Sequence, residues 1–171
     1  MIADYLTAVI SRDLRAVKRE IAAFPDDASV WRQAPGVANS SGTLALHLAG
    51  NVQHFFGRVL GGTSFVRDRA AEFSRRDVPR TEIQAQLDAA IAAVEPGLSR
   101  VTDNKLDADF PEHIAAHSVA TGEWLIHLAV HLAYHLGQID YHRRMVTGQN
   151  ETVGIMALPE LRSARKQVLK A

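Results

Sequence analysis

The sequence predicts an all-α fold, a four-helix bundle of up-down type with long connections, on three observations. Four stretches carry apolar residues at the three-or-four spacing of an amphipathic helix. The segments between them are dense in turn formers or lack a clear period, and no segment alternates strongly enough for a confident strand. At 171 residues the chain is long enough for a real core and short for two, so residues 1–171 are expected to form a single domain.

The first helix is expected from Ile2 to Phe24, where Ile2, Leu6, Val9, Ile10, Leu14, Val17 and Ile21 mark the apolar face and Pro25 ends it. Residues 26–42 read as a loop with a helical turn around Trp31, and Ser41 or Thr43 is placed to cap the second helix. That helix, 43–60, has the core stripe Leu44, Leu48, Val52, Phe55 and Val59, with Gly61 and Gly62 stopping it. Residues 63–79 form a long charged connection with at most a short strand or turn of its own. Thr81 and Gln84 fit a capping box for a third helix reaching about Val101, which Pro96 should kink or shorten. After a second connection, 102–120, the fourth helix runs from Thr121 to Val146 and ends near Gly148, and residues 161–169 suit a short basic terminal helix.

Composition narrows the function. Nineteen basic and nineteen acidic residues give a formal net charge of zero, which removes the attraction on which non-specific nucleic-acid binding depends. With no cysteine there is no disulfide, no thiolate metal site and no sulfur nucleophile of the protein's own, so any thiol chemistry must use a thiol from solution. Charged residues interrupt the N-terminal apolar positions before a signal-peptide core forms, and no run approaches a membrane span. The expectation is a cytoplasmic protein acting on a small molecule, with neither a membrane nor a nucleic-acid partner.

The chemistry-bearing residues are histidines. His127, His131 and His135 succeed one another at spacings of four on the fourth helix, which puts neighbours on one face with Cβ atoms roughly 5–6 Å apart. Two such imidazoles reach one metal ion, and His47, set among leucines on the second helix, supplies a third ligand. His47, His131 and His135 are therefore the expected metal ligands. Gly137 and Gln138 come directly after the pair, and Gln138 is suited to bond a group behind the ligands. His127 then stands beside the metal or faces substrate. His47, Asn51, His54 and Arg58 form a polar stripe that either faces solvent or lines a cavity, and Asn51 is placed to orient a ligand or substrate. His54 and His142 each lie seven residues from an expected ligand, as pocket residues or as polar groups near the bundle end. Trp31 and Trp124 are assigned to packing, and Arg67, Arg69, Arg75 and Arg76 to a solvated loop able to meet a carboxylate. The run HLAYH lacks the glutamate of an HExxH zinc protease, which sets peptide hydrolysis aside.

The helix-two element LALHLAGNVQHF, the run HLAVHLAYHLGQI and the order of four helices with two long connections resemble the DinB/YfiT-like superfamily over nearly the whole chain, most specifically through His131, His135, Gly137 and Gln138. The segments SSGTLALHLAGN and FVRDRAAEF look most like a bacterial branch without assigned function. The resemblance implies a divalent metal, nickel or zinc, on His47, His131 and His135, a tendency to form homodimers through helix faces, and thiol-dependent transferase or isomerase chemistry with a low-molecular-weight thiol. Within that chemistry His127 and His54 are the first candidates for proton transfer. Two other readings stand beside it: a non-catalytic metal-binding or stress-associated bundle, and a metal-dependent hydrolase of a small substrate.

Overall fold

The computed structural model describes residues 2–166. Four long helices build a bundle: α1 (Ile2–Ala22), α3 (Ser41–Val52, continued by Gln53–Leu60), α5 (Arg80–Leu98) and α6 (Thr121–Thr147), with two short helices, α2 (Asp27–Trp31) and α4 (Arg69–Ser74), in the connections. No extended strand occurs among the described residues, only the isolated bridges Asp109–Ala120 and Ile114–His117. The all-α bundle expected from periodicity is the fold.

Each apolar stripe turns inward. Ile10, Leu14, Val17 and Ile21 from α1 meet Ile83, Leu87, Val94 and Leu98 from α5, and Leu125, Leu128, Leu132, Leu136 and Ile139 from α6 in one core. Helices α1 and α3 each pack against both α5 and α6 and hardly against each other, so α1 and α3 stand on one diagonal. Direction is read from the side-chain ties. Glu20 near the end of α1 meets Arg143 near the end of α6, so these two run parallel, whereas Ser41 and Phe55 on α3 meet His142 and Trp124 in reverse order on α6. Gln53 Nε2 donates to Gln86 O, and Gly57 faces Ala93, so α3 and α5 run the same way. The helices run up, down, down, up. The long connection 61–79 allows this departure from simple alternation, because it returns along the bundle before α5 begins.

The boundaries differ in instructive ways. Ser40 caps α3, its side chain accepting from Thr43 N, one residue before the candidate Ser41 and three before Thr43. Helix α5 starts behind Pro79 with no side-chain cap, so Thr81 and Gln84 lie inside the helix, in its first and second turns, and make no capping box. It ends at Leu98, short of Val101, with Pro96 and Gly97 in its last turn. Gly97 has no room for a side chain, because a Cβ there would stand 2.3 Å from Phe56 O. That close approach meets the backbone where α3 widens into a π-helix, closed by Gly61 N donating to Phe56 O at 2.9 Å. The expected turn around Trp31 is α2, with Asp26 and Ser29 forming its capping box, and the connection 63–79 holds the helix α4 rather than a strand. Residues 161–166 form a bend and turn, not the start of a terminal helix, and the rest of the expected 161–169 helix lies outside the described residues.

Candidate metal centre

Helix α3 is buried along its whole α-helical length, which decides the fate of its polar stripe: His47 and Asn51 line the interior. Antiparallel α6 brings His131 and His135 opposite His47. His131 Nε2 lies 3.2 Å from His47 Nε2 and 3.1 Å from His135 Nε2, and the three candidate ligand atoms all fall within 4.8 Å of one another. The rings stand edge-on, at interplanar angles of 82° for His47 and His131, 89° for His131 and His135, and 89° for His47 and His135. Their nitrogens thus converge while the rings keep clear of each other.

The outer nitrogens fix which way two of these rings face electronically. His47 Nδ1 donates to Glu72 Oε2 at 3.0 Å, and His135 Nδ1 donates to Gln138 Oε1 at 2.6 Å. An ionised carboxylate only accepts, so His47 carries its proton on Nδ1 and presents a bare lone pair at Nε2; His135 does the same. Arg67 Nη2 also comes within 3.3 Å of His47 Nδ1, but its fork is directed at Glu72, with Nε to Oε1 at 2.7 Å and Nη2 to Oε2 at 2.9 Å. His131 Nδ1 is buried with no partner. Two fixed lone pairs aimed at a third imidazole nitrogen are satisfied by a proton on His131 Nε2 or, in its place, by a cation between the three. The spacing suits a metal ion, since ligands at about 2.0–2.1 Å on a tetrahedral ion sit roughly 3.3 Å apart.

Electrostatics favour neutral rings at His131 and His135. Burial pushes His131 down to about 4, with His135, His47, His127 and Arg67 adding to the fall. Burial also lowers His135, against the opposing bond from Gln138 and with a further push from His47. Burial by itself would raise Glu72, but the hydrogen bonds from His47 and Arg67 outweigh it and hold the carboxyl below its ordinary range. At neutral pH His131 and His135 are uncharged imidazoles and Glu72 is an ionised carboxylate; with His47 the two imidazoles form a donor set that could hold a divalent cation.

The other expected residues divide. Gln138 bonds the expected ligand His135 itself rather than a group behind it. Asn51 is buried one turn from His47 and makes no side-chain hydrogen bond among the described residues. His127 is exposed and lies flat on Trp124, ring centroids 4.7 Å apart at 11°, outside the convergent group. His54 is also outside it; its Nε2 donates to Glu112 at 3.0 and 3.1 Å, and its Nδ1 is buried without a partner. His142 is a packing residue that ties Ser41 Oγ and Arg32 O, each at 2.8 Å. Trp31 and Trp124 pack as expected, Trp31 donating to Val78 O and Trp124 meeting Phe55 and Phe110. Of the loop arginines only Arg67 joins the centre: Arg69 covers the Phe73 ring, Arg75 pairs with Glu82, and Arg76 bonds backbone carbonyls. Sequence reasoning missed Glu72 and Glu112, because no local spacing links either to its histidine. The traces of Glu72 are Gly50, a glycine without evident purpose inside a buried helix, and the segment FVRDRAAEF, which carries both Arg67 and Glu72.

Residues 2–159 match the family model described as "Protein of unknown function (DUF1572)". The chain belongs to this family. The match spans every helix of the bundle, so the converging histidines of this DUF1572 protein lie wholly within the family region. No curated protein and no solved structure matches the chain.

Proposed function

We propose that this DUF1572 protein is a member of the DinB/YfiT-like superfamily that binds one divalent ion, nickel or zinc, through His47, His131 and His135, and uses it in transfer or isomerisation with a low-molecular-weight thiol. The observation that carries the reading is the convergence of three Nε2 atoms, two of them fixed as lone-pair donors by Glu72 and Gln138. Held by these residues, a divalent ion would supply the Lewis acidity that lowers the pKa of a thiol beside it.

The chain's own groups take the remaining tasks. His54, with its proton held on Nε2 by Glu112, offers Nδ1 as a base, and exposed His127 is free to exchange protons with solvent. Asn51, one turn from His47 with its amide unengaged, orients the bound thiol or substrate. Gln138 steadies His135. A catalytic site is favoured over a purely structural one because His127, the fourth ligand that a closed site on α6 would recruit, is stacked on Trp124 instead. The chain is proposed to work as a homodimer, with Ile126, Val130, Tyr134, Tyr141 and Met145 of α6 as an exposed apolar face.

Elemental analysis of protein purified without a metal-affinity tag, beside His47→Ala and His131→Ala, tests the centre. About one ion per chain is expected, lost in both variants. Protein without metal, or metal retained by His47→Ala, would remove the reading. The loaded protein should then bind a small thiol saturably and turn over an electrophile only when the thiol is present.

A further inference from the structure

Glu72 reaches His47 through a gap that only glycine leaves. A Cβ built on Gly50 would stand 2.1 Å from Glu72 Oε1 and 2.8 Å from its Cδ, so no other residue fits beneath the carboxylate where it lies. Gly50 comes three residues after His47, one turn along α3, and the missing methyl and the ligand ring together bracket the carboxylate. Arg67 grips both carboxylate oxygens from the other side. Glu72 is also the only buried residue of α4, whose remaining touch on the centre is the Phe73 ring, 4.8 Å from that of His47.

We propose that Glu72, seated on Gly50 and held by Arg67, is a positioning residue that makes His47 the anchoring ligand, so that metal binding and the docking of α4 are one equilibrium. The inference rests on the metal reading above. By accepting the Nδ1 proton the carboxylate fixes the ring's tautomer and orientation and enriches the electron density at Nε2. In return a cation at Nε2 makes Nδ1–H a stronger donor and tightens the hold on Glu72. Linkage requires each event to favour the other by the same factor.

The test compares wild type, Glu72→Gln and Gly50→Ala for Zn(II) affinity, by competition with a chromogenic chelator, and for trypsin cleavage at Arg67, Arg69, Arg75 and Arg76 with and without Zn(II). Gly50→Ala is the sharper variant, because the added methyl meets the end of a flexible side chain: α3 is kept, as circular dichroism would verify, and only the carboxylate is displaced. Both variants should bind zinc about 10- to 100-fold more weakly. Zinc should slow cleavage of 67–76 in wild type and fail to do so in either variant. Wild-type affinity in both variants would overturn the positioning role and leave the metal reading standing. Weaker binding with zinc protection of 67–76 retained would overturn the coupling to α4. Absence of zinc binding by wild type would overturn the metal reading and this inference together.

Discussion

At the scale of single residues, burial sets the neutrality of two imidazoles of the centre, His131 and His135. His131 is held down to about 4 and His142, buried against Arg32 and Ser41, is lowered as well. An unfolded chain takes protons on such rings below about pH 6.5. Between that value and the lower folded ones the unfolded state binds more protons, so stability rises with pH there. The metal-free protein should therefore be most stable above pH 6.5 and lose melting temperature steadily from pH 6.5 to 5. The slope should be shallower in His131→Gln, and a melting temperature flat across that window would contradict the buried neutral rings. The sequence marked His47, His131 and His135 because helical spacing fixes which side chains share a face. It could not mark Glu72 or Glu112, which arrive from connections whose path no local pattern encodes.

At the scale of elements, α6 divides its surface among three tasks. Leu125, Leu128, Leu132, Leu136 and Ile139 enter the core, His131 and His135 face α3, and Ile126, Val130, Tyr134, Tyr141 and Met145 are exposed on the outside. The outer residues recur at spacings of four and seven, so they form one stripe along the helix. Gly137 sits within that stretch with no atom near the place of its missing Cβ, which leaves room for a second helix to come close. Sedimentation should find a dimer for wild type and a monomer for Val130→Lys or Tyr134→Lys, with zinc content unchanged. A wild-type monomer at micromolar concentration would refute the dimer. Periodicity predicted the inner stripe well; the π-helical stretch Gln53–Leu60 escaped it, because the widening answers the backbone of α5 at Gly97 rather than any residue of α3.

At the scale of the whole molecule, the parallel pair α1 and α6 is fastened by charge. Arg143, 1% exposed, pairs with Glu20, 0% exposed, and its Nη2 donates to Glu151 O at 2.8 Å, joining both helices to the segment beyond Thr147. Burial pushes the Glu20 carboxyl up, and the hydrogen bond and charge of Arg143 pull against that rise. Arg143→Ala should destabilise the protein by about 3–5 kcal/mol in chemical denaturation, because it leaves a carboxylate unpaired in the core. The double change Glu20→Leu with Arg143→Met should recover most of that loss. A cost below about 1 kcal/mol for Arg143→Ala would show that the pair does not hold these helices.

The sequence by itself determined the four helices, their inward faces and the three histidines that share two of those faces, because each of these is a matter of period and spacing along one helix. Tertiary structure alone decided that α1 and α3 stand diagonally, that the helices run up, down, down, up, that His47 and Asn51 of the α3 polar stripe line the interior while Arg58 is exposed, and that Glu72 and Arg67 stand behind His47. Those features depend on how long connections travel in space, and a connection's path is set by the contacts at its ends rather than by its own residues.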